Sequence, residues 1–231
     1  MQFSRSPKVN KSMFKSQRVK LAGTLTLSAI LVACLTACTP SKQYDGSKSD
    51  GAFFAVPNGW FKISQAELAA EEGKSKDQVD QDRLSMVRYQ VGYSATRKLS
   101  ARQVFTLEPT EFPVVFLRIR ELFPEERNAV SFNSLRDLIF PITGYESGSA
   151  TNTRNFQVLD DQEVVERGAK GVNLLYSYDS NGVNTTLNQS TLISNDQKKI
   201  FLMIVRCSTK CYQKNTNEIN SIVKSFTVRG A

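Results

Sequence analysis

Hydrophobic positions along this chain follow two periods, one in each half. Residues 52–56 (Ala-Phe-Phe-Ala-Val) are apolar throughout, residues 60–63 (Trp-Phe-Lys-Ile) nearly so, and Pro57-Asn58-Gly59 lies between them. Short apolar runs bounded by turn residues predict two strands. Ser64-Gln65-Ala66-Glu67 has capping-box spacing, in which serine and glutamate satisfy each other's backbone donors, and predicts a helix to about residue 72. Residues 71–81 are charged and aperiodic, which predicts a loop. Residues 83–93 fit both periods: Leu84, Val87 and Val91 suit a helix, while Val87, Tyr89 and Val91 suit a strand. Residues 113–122 (PVVFLRIREL) predict a strand. Pro124-Glu125-Glu126 then places proline and acids where a helix N-terminus favours them. Phe132, Leu135 and Ile139 share one helical face, and Pro141 ends that helix.

After a polar stretch at 144–155 the period becomes two. Strands are predicted at 156–159, 163–167, 172–178, 183–194 and 199–206. Asn181-Gly182 predicts a hairpin, because both residues tolerate positive φ. Residues 200–205 are apolar on both faces, as a doubly covered central strand would be. Asn215-x-x-Glu218 predicts the cap of a last helix whose Ile219, Ile222, Val223 and Phe226 keep helical spacing. Residues 226–229 suit a short closing strand. Helices packed on a mostly antiparallel sheet make an α+β fold.

The N-terminus has a different character. Arg5, Lys8, Lys11, Lys15, Arg18 and Lys20 precede an apolar run from Leu21 to Ala33, with no acid among them. A basic segment, a short apolar segment and small residues form an export signal. Leu35-Thr36-Ala37-Cys38 then reads as a bacterial lipobox, the signal for cleavage before a cysteine and attachment of diacylglycerol to it. Leu31-Val32-Ala33-Cys34 fits the same pattern, but Cys34 precedes apolar Leu35, whereas Cys38 opens the polar run TPSKQYDGSKSDG. Cys38 is therefore the expected lipid site and Cys34 the alternative. The expected organisation is a signal peptide at 1–37, an anchor and flexible tether at 38–51 reaching roughly 20 Å, and one domain at 52–231. Two or three acyl chains hold such a protein firmly, since each buried CH₂ contributes about 0.8 kcal/mol.

Composition now narrows the chemistry. The formal charge of +8 includes six basic residues of the signal, leaving 24 basic against 22 acidic residues, or +2. No clustered basic excess survives, so nucleic acid is not an expected partner. About 190 residues rich in Phe, Val, Ile and Leu can bury one sizeable core. The chain has no histidine, which excludes Ser–His and Cys–His nucleophiles, histidine general bases and histidine metal sites. No DxDxDG-type calcium loop occurs, and no metal or cofactor is expected. Cys207 and Cys211 remain as a pair in an oxidising compartment. A fully extended CSTKC could not bring the two Cα atoms within about 7 Å, so a disulfide there requires a turn from strand into helix.

Three further groups could carry function. Asp160, Asp161, Glu163 and Glu166 form an acidic run, read as solvated turn residues; a glycosidase would need two carboxylates roughly 5–10 Å apart in a cleft. Thr185, Thr186, Asn188, Gln189, Ser190 and Thr191 make an unusually polar strand. It reads as a solvated face or sheet edge, or as a surface whose hydroxyls and amides match peptide or carbohydrate. Trp60 suits packing beneath the first hairpin, although an exposed tryptophan would stack on a ligand. Trp60, Thr185, Asn188 and Gln189 are thus the candidate binding residues.

The segment Phe53-Phe54-Ala55-Val56-Pro57-Asn58-Gly59-Trp60-Phe61-Lys62-Ile63 resembles the opening of PsbP-like proteins. Ile219-x-x-Ile222-Val223-x-Ser225-Phe226 resembles their closing helix and Ser-Phe. That superfamily shares an α/β/α sandwich with a nuclear-import factor that binds the Ran GTPase, and it includes many actinobacterial lipoproteins. The resemblance implies a non-enzymatic accessory or binding role and carries over no site residues. The Cys207–Cys211 pair and the long 83–107 stretch depart from the family pattern. Together these readings describe a lipid-anchored protein on the extracytoplasmic face of a membrane, with an envelope protein or glycan as partner. The competing reading is an envelope hydrolase working through carboxylates alone.

Overall fold

The computed structural model describes residues 41–149 and 155–230. Both lipobox cysteines and the export signal lie outside these residues. Ten strands form two antiparallel sheets among the described residues. The larger runs β3 (Phe61–Ile63), β4 (Val87–Ser94), β5 (Val114–Glu121), β9 (Lys199–Ser208), β8 (Val183–Ser194), β7 (Ala169–Ser180) and β6 (Gln157–Val165) in spatial order. The smaller one joins β1 (Lys42–Ser47), β2 (Ala52–Pro57) and β10 (Thr227–Val228), with β2 in the middle.

Strand β9 sits at the centre of the large sheet, between β5 and β8. Its residues from Ile200 to Val205 are all buried, as apolarity on both faces requires. Side-chain alternation splits the sheet into two core faces. Ile200, Leu202 and Ile204 join Phe116, Val172, Leu174 and Tyr176 on one of them. Helices α1 (Gln65–Glu72), α3 (Ala101–Phe105), α5 (Phe132–Arg136) and α6 (Ile142–Glu146) bury Leu68, Val104, Leu135 and Ile142 in that same core. On the other face, Phe201, Met203 and Val205 pack with Leu117 and Tyr93 against Phe54 and Trp60. Ile219, Ile222 and Phe226, at the C-terminal end of the chain, complete this second core. The fold is α+β in three layers, as the pattern of elements predicts.

The two motifs at the ends of the domain meet. Helix α8 (Thr216–Ser225) ends at Ser225, whose Oγ accepts from the Ala55 amide at 2.9 Å and donates to the Ile222 carbonyl at 2.6 Å. Strand β10 follows and pairs Thr227 with Phe53 and Val228 with Ala52. The closing Ser-Phe is therefore a clasp onto β2.

Several expectations need correction. Residues 42–51, expected as tether, are ordered: β1 pairs along β2 from Lys42↔Pro57 to Ser47↔Ala52, so the compact unit begins at Lys42. Its sequence KQYDGS shows no apolar period, because its stabilisation comes from polar contacts. Asp45 accepts from Tyr89 Oη at 2.7 Å, Tyr93 Oη at 2.5 Å and Lys62 Nζ at 2.7 Å. Gly46 lies so close to β2 that a Cβ there would stand 2.1 Å from the Ala52 carbonyl oxygen, which only glycine avoids. The expected loop at 71–81 contains the start of α2 (Gln78–Ser85), whose N-cap Asp77 accepts from Val79 N at 2.8 Å. The 83–93 segment holds both of its readings in succession, as α2 ends and β4 begins. The single helix expected after Pro124 is three short ones, α4 (Pro124–Arg127), α5 and α6, and Pro141 caps the third instead of ending the first. The last helix is also divided. Short α7 (Thr209–Lys214) precedes α8, and the Asn215 amide donates to the Cys211 carbonyl at 2.8 Å instead of capping α8.

Asn181 (φ 51°) and Gly182 (φ 77°) make the tight turn between β7 and β8 that their positive φ permits. Cys207 is the next-to-last residue of β9 and Cys211 lies in α7, with Cα atoms 5.9 Å apart at disulfide distance. The strand-to-helix turn brings them together.

Asp45 sets a pH limit on β1. Burial opposes its ionisation, but the donors of Lys62, Tyr93, Tyr89 and the Gly46 amide outweigh burial and hold its pKa below the ordinary 3.8. A depressed pKa stabilises the folded state above the unfolded value and loses that contribution as pH falls through the folded one. Asp45→Asn is expected to cost about 1–3 kcal/mol at pH 7. In urea unfolding, that difference between the two proteins should shrink below about pH 3.5; a difference constant from pH 7 to pH 2 would show that the charge of Asp45 is not what secures β1.

Candidate binding cleft

The polar strand Thr185–Thr191 is neither edge nor solvated: β8 lies between β7 and β9, and all of these residues are buried. Alternation then sends its side chains to opposite faces with different outcomes. On the helix-covered face, Gln189 is wholly buried. It accepts from Tyr176 Oη at 2.9 Å and donates to the Leu135 carbonyl at 3.0 Å and to Thr191 Oγ1 at 2.9 Å. It ties α5 to the sheet. Thr185, on the same face, is fully buried, and its Oγ1 has no hydrogen-bond partner. Trp60 is 9% exposed within the second core, which is the packing role.

On the other face, Asn188 and Ser190 stand opposite Leu175 and Asn173 of β7. Asn173 Nδ2 donates to Asn188 Oδ1 at 3.1 Å and to Ser190 Oγ at 2.7 Å, and Asn188 Nδ2 returns a bond to Asn173 Oδ1 at 3.3 Å. This amide cluster floors a cleft of about 450 Å³. The wall is α8, through Asn220, Val223 and Lys224; apolar Val164, Leu175 and Leu192 flank the floor. Asp160 and Glu166 stand at the strand-β6 side.

Tyr212 of α7 lines the same cleft, and its buried hydroxyl has no hydrogen-bond partner in the fold. Burial pushes that phenol up to about 12, so it stays a neutral donor at physiological pH. Buried polar groups are almost always paired, so this hydroxyl is an exception within the fold. The cleft offers amide donors and acceptors and apolar flanks, with the charged Asp160, Glu166 and Lys224 at its sides.

Of the four candidate binding residues, only Asn188 lines this cleft; Thr185 and Gln189 face away from it, and Trp60 is core. Asn173, Ser190 and Tyr212 join it. The pairing of Asn173 with Ser190 follows from hairpin register, which Asn181-Gly182 sets. Nothing in the sequence pointed to Tyr212.

The acids of residues 160–163 lie in strand β6, not in a turn, and the strand sends them to opposite faces. Asp160 flanks the cleft, whereas Asp161 and Glu163 meet Arg136 on the helix face, with Arg136 Nε 2.6 Å from Asp161 Oδ2 and Nη2 3.8 Å from Glu163 Oε1. The Asp161 bond in turn raises the pKa of Arg136. Wherever a carboxylate in the described residues departs clearly from its ordinary pKa, as at Asp45, Asp50, Glu126 and Asp196, it is lowered. A general acid would need the opposite shift.

No protein-family model matches the chain, and no curated protein matches it in sequence. Solved structures similar to it include the solution structure of a cyanobacterial PsbP, CyanoP from Synechocystis. That alignment has 13% identity and a TM-score of 0.48, and covers 83% of this chain and 95% of CyanoP. The LpqN protein of Mycobacterium tuberculosis, described as involved in cell envelope biogenesis, aligns at 15% identity and a TM-score of 0.42 over 83% of this chain and 86% of LpqN. The Ran-binding protein Mog1p of Saccharomyces cerevisiae aligns at 10% identity and a TM-score of 0.42 over 82% and 96%.

The two faces of β8 should respond differently to substitution. Gln189→Leu leaves the Tyr176 hydroxyl and the Leu135 carbonyl buried without their partner, and is expected to cost about 1–3 kcal/mol in denaturant unfolding. A cost below about 0.5 kcal/mol would mean that these bonds are readily replaced by water.

Proposed function

We propose that this chain is a lipid-anchored extracytoplasmic protein whose role is binding at the cell envelope, without catalysis. The observation that carries the binding role is the cleft over β7 and β8, floored by the Asn173–Asn188–Ser190 cluster and walled by α8. Its chemistry favours a polar uncharged segment, either a glycan or the main chain of an envelope peptide. Against a carboxylate hydrolase stand the engagement of Asp161 and Glu163 by Arg136 and the downward direction of the clear carboxylate shifts. The anchor rests on the lipobox ending at Cys38. No described helix is long and apolar enough to cross a membrane.

The cleft can be tested with the full-length protein in lipid nanodiscs, titrated with soluble peptidoglycan glycan chains and, separately, with stem-derived peptides. Saturable binding is expected, and Asn188→Leu together with Asn173→Leu should weaken it at least about tenfold, the value of one or two lost hydrogen bonds. Binding unchanged by that pair would move the site elsewhere. Hydrolysis of either probe, abolished by Asp160→Asn, would establish the enzyme reading instead.

The anchor is tested by labelling cells with an alkyne fatty acid. Cys38→Ala should abolish incorporation and leave precursor or released protein. Retention in that variant, with loss only in Cys34→Ala, would assign the lipid to Cys34.

A further inference from the structure

Near its end strand β9 carries a buried cation, Arg206, that has no ion-pair partner among the described residues, although the Glu108 carboxylate acts on it at longer range. Arg206 is 1% exposed and belongs to the helix-covered face of the sheet, in register with Leu187 and Val114. Its guanidinium donates to two main-chain oxygens, that of Gln103 at 2.8 Å from Nη2 and that of Glu108 from Nη1. Among the described residues, no carboxylate forms an ion pair with it. Neutral carbonyls offset only part of the desolvation of a full positive charge. Burial accordingly pushes its pKa down, although an arginine remains protonated.

Beside Arg206 is a cavity of about 160 Å³ beneath α3. Its other walls are almost wholly apolar, among them Val104, Phe105, Phe116, Ile139, Leu202 and Ile204. A cavity of about 150 Å³ lined in this way accepts benzene, so this one has room for a single ring or a short hydrocarbon chain. Arg118 also lines it, but its charge is already met: it ion-pairs with Glu72, donates to Gln90 Oε1 at 2.7 Å, and stacks on Phe105 and Phe116 at 5.5 and 5.3 Å. The unmatched charge in the cavity is therefore that of Arg206.

We propose that this cavity binds a small apolar carboxylate, an aromatic or short-chain acid. The hydrocarbon part lies among the apolar walls, and the carboxylate supplies the counter-ion of Arg206 in the paired geometry a guanidinium favours. This site is on the face of the sheet opposite the Asn188 cleft and is independent of the reading given for that cleft.

The test titrates the full-length protein in nanodiscs with 3-phenylpropionate and with its neutral isostere 3-phenylpropionamide, empty nanodiscs serving as the blank. Saturable binding is expected for the acid and at least about tenfold weaker binding for the amide. Ile204→Phe fills the cavity while leaving Arg206 in place, and should weaken the acid at least about tenfold with cooperative unfolding retained. Arg206→Met should erase the preference for acid over amide; if that variant fails to fold, Ile204→Phe and the acid–amide comparison still decide. Equal affinity for acid and amide, no saturation by about 10 mM, or undiminished binding by Ile204→Phe would each overturn the proposal and leave Arg206 as a tie for the Gln103 and Glu108 carbonyls.

Discussion

The structure depends on one constraint: strand β9 from Ile200 to Val205 and the first half of β5 are apolar on both faces, so the middle of the large sheet must be covered twice. Apolar burial contributes about 25 cal/mol per Å², and a bare central strand would forfeit that on one side. The two covers come from different parts of the chain. Helices α1, α3, α5 and α6 close one face. The other is closed by the two ends of the domain, β1–β2 and α8–β10, clasped through Ser225 and Ala55.

That second cover explains the cleft. Phe54, Trp60, Ile219, Ile222 and Phe226 pack where β4, β5 and β9 present apolar side chains. Toward β7 and β6 the same face becomes more polar, with Asn173 opposite Gln162, Asp160 opposite Leu175 and Ser177 opposite Thr186. Less apolar surface is left to bury there, and α8 presents Asn220 and Lys224 beside Val223 to the space instead of closing it. The opening is thus a consequence of where apolar side chains stop along the sheet, and its chemistry is that of the polar residues left there.

The polar residues that are buried are mostly tied in closed sets. Arg118, Gln90 and Glu72 form one triangle, with Gln90 Nε2 donating to Glu72 Oε2 at 3.0 Å. Gln189 with Tyr176, Thr191 and the Leu135 carbonyl forms another. Satisfied networks of this kind hold helices at fixed positions on a sheet, since leaving any member unpaired is costly. Against that background the hydroxyls of Tyr212, Thr185 and Thr106, which lack hydrogen-bond partners, and the charge of Arg206, which meets only carbonyls, stand apart.

Local chemistry was legible in the sequence because its causes are local. The Ser64–Glu67 box forms as its spacing predicts, with the Ser64 amide donating to Glu67 at 2.8 Å. Asn181-Gly182 turns, 200–205 runs through the centre, and Cys207 meets Cys211 across a turn of the chain. The resemblance to PsbP-like proteins came from the two segments that prove to clasp. What the tertiary structure alone decided depends on partners distant in sequence. KQYDGS becomes a strand because Tyr89 and Tyr93 reach Asp45, and no pattern within six polar residues can announce that. Asn215 fails as a helix cap because the Cys211 carbonyl claims its amide. Thr185–Thr191 looked like an edge, yet it lies inside the sheet. Its composition reported polarity, whereas its position was set by pairing with β7 and β9. Which of Asn188 and Gln189 faces the cleft was settled by register, since adjacent residues of a strand point to opposite faces.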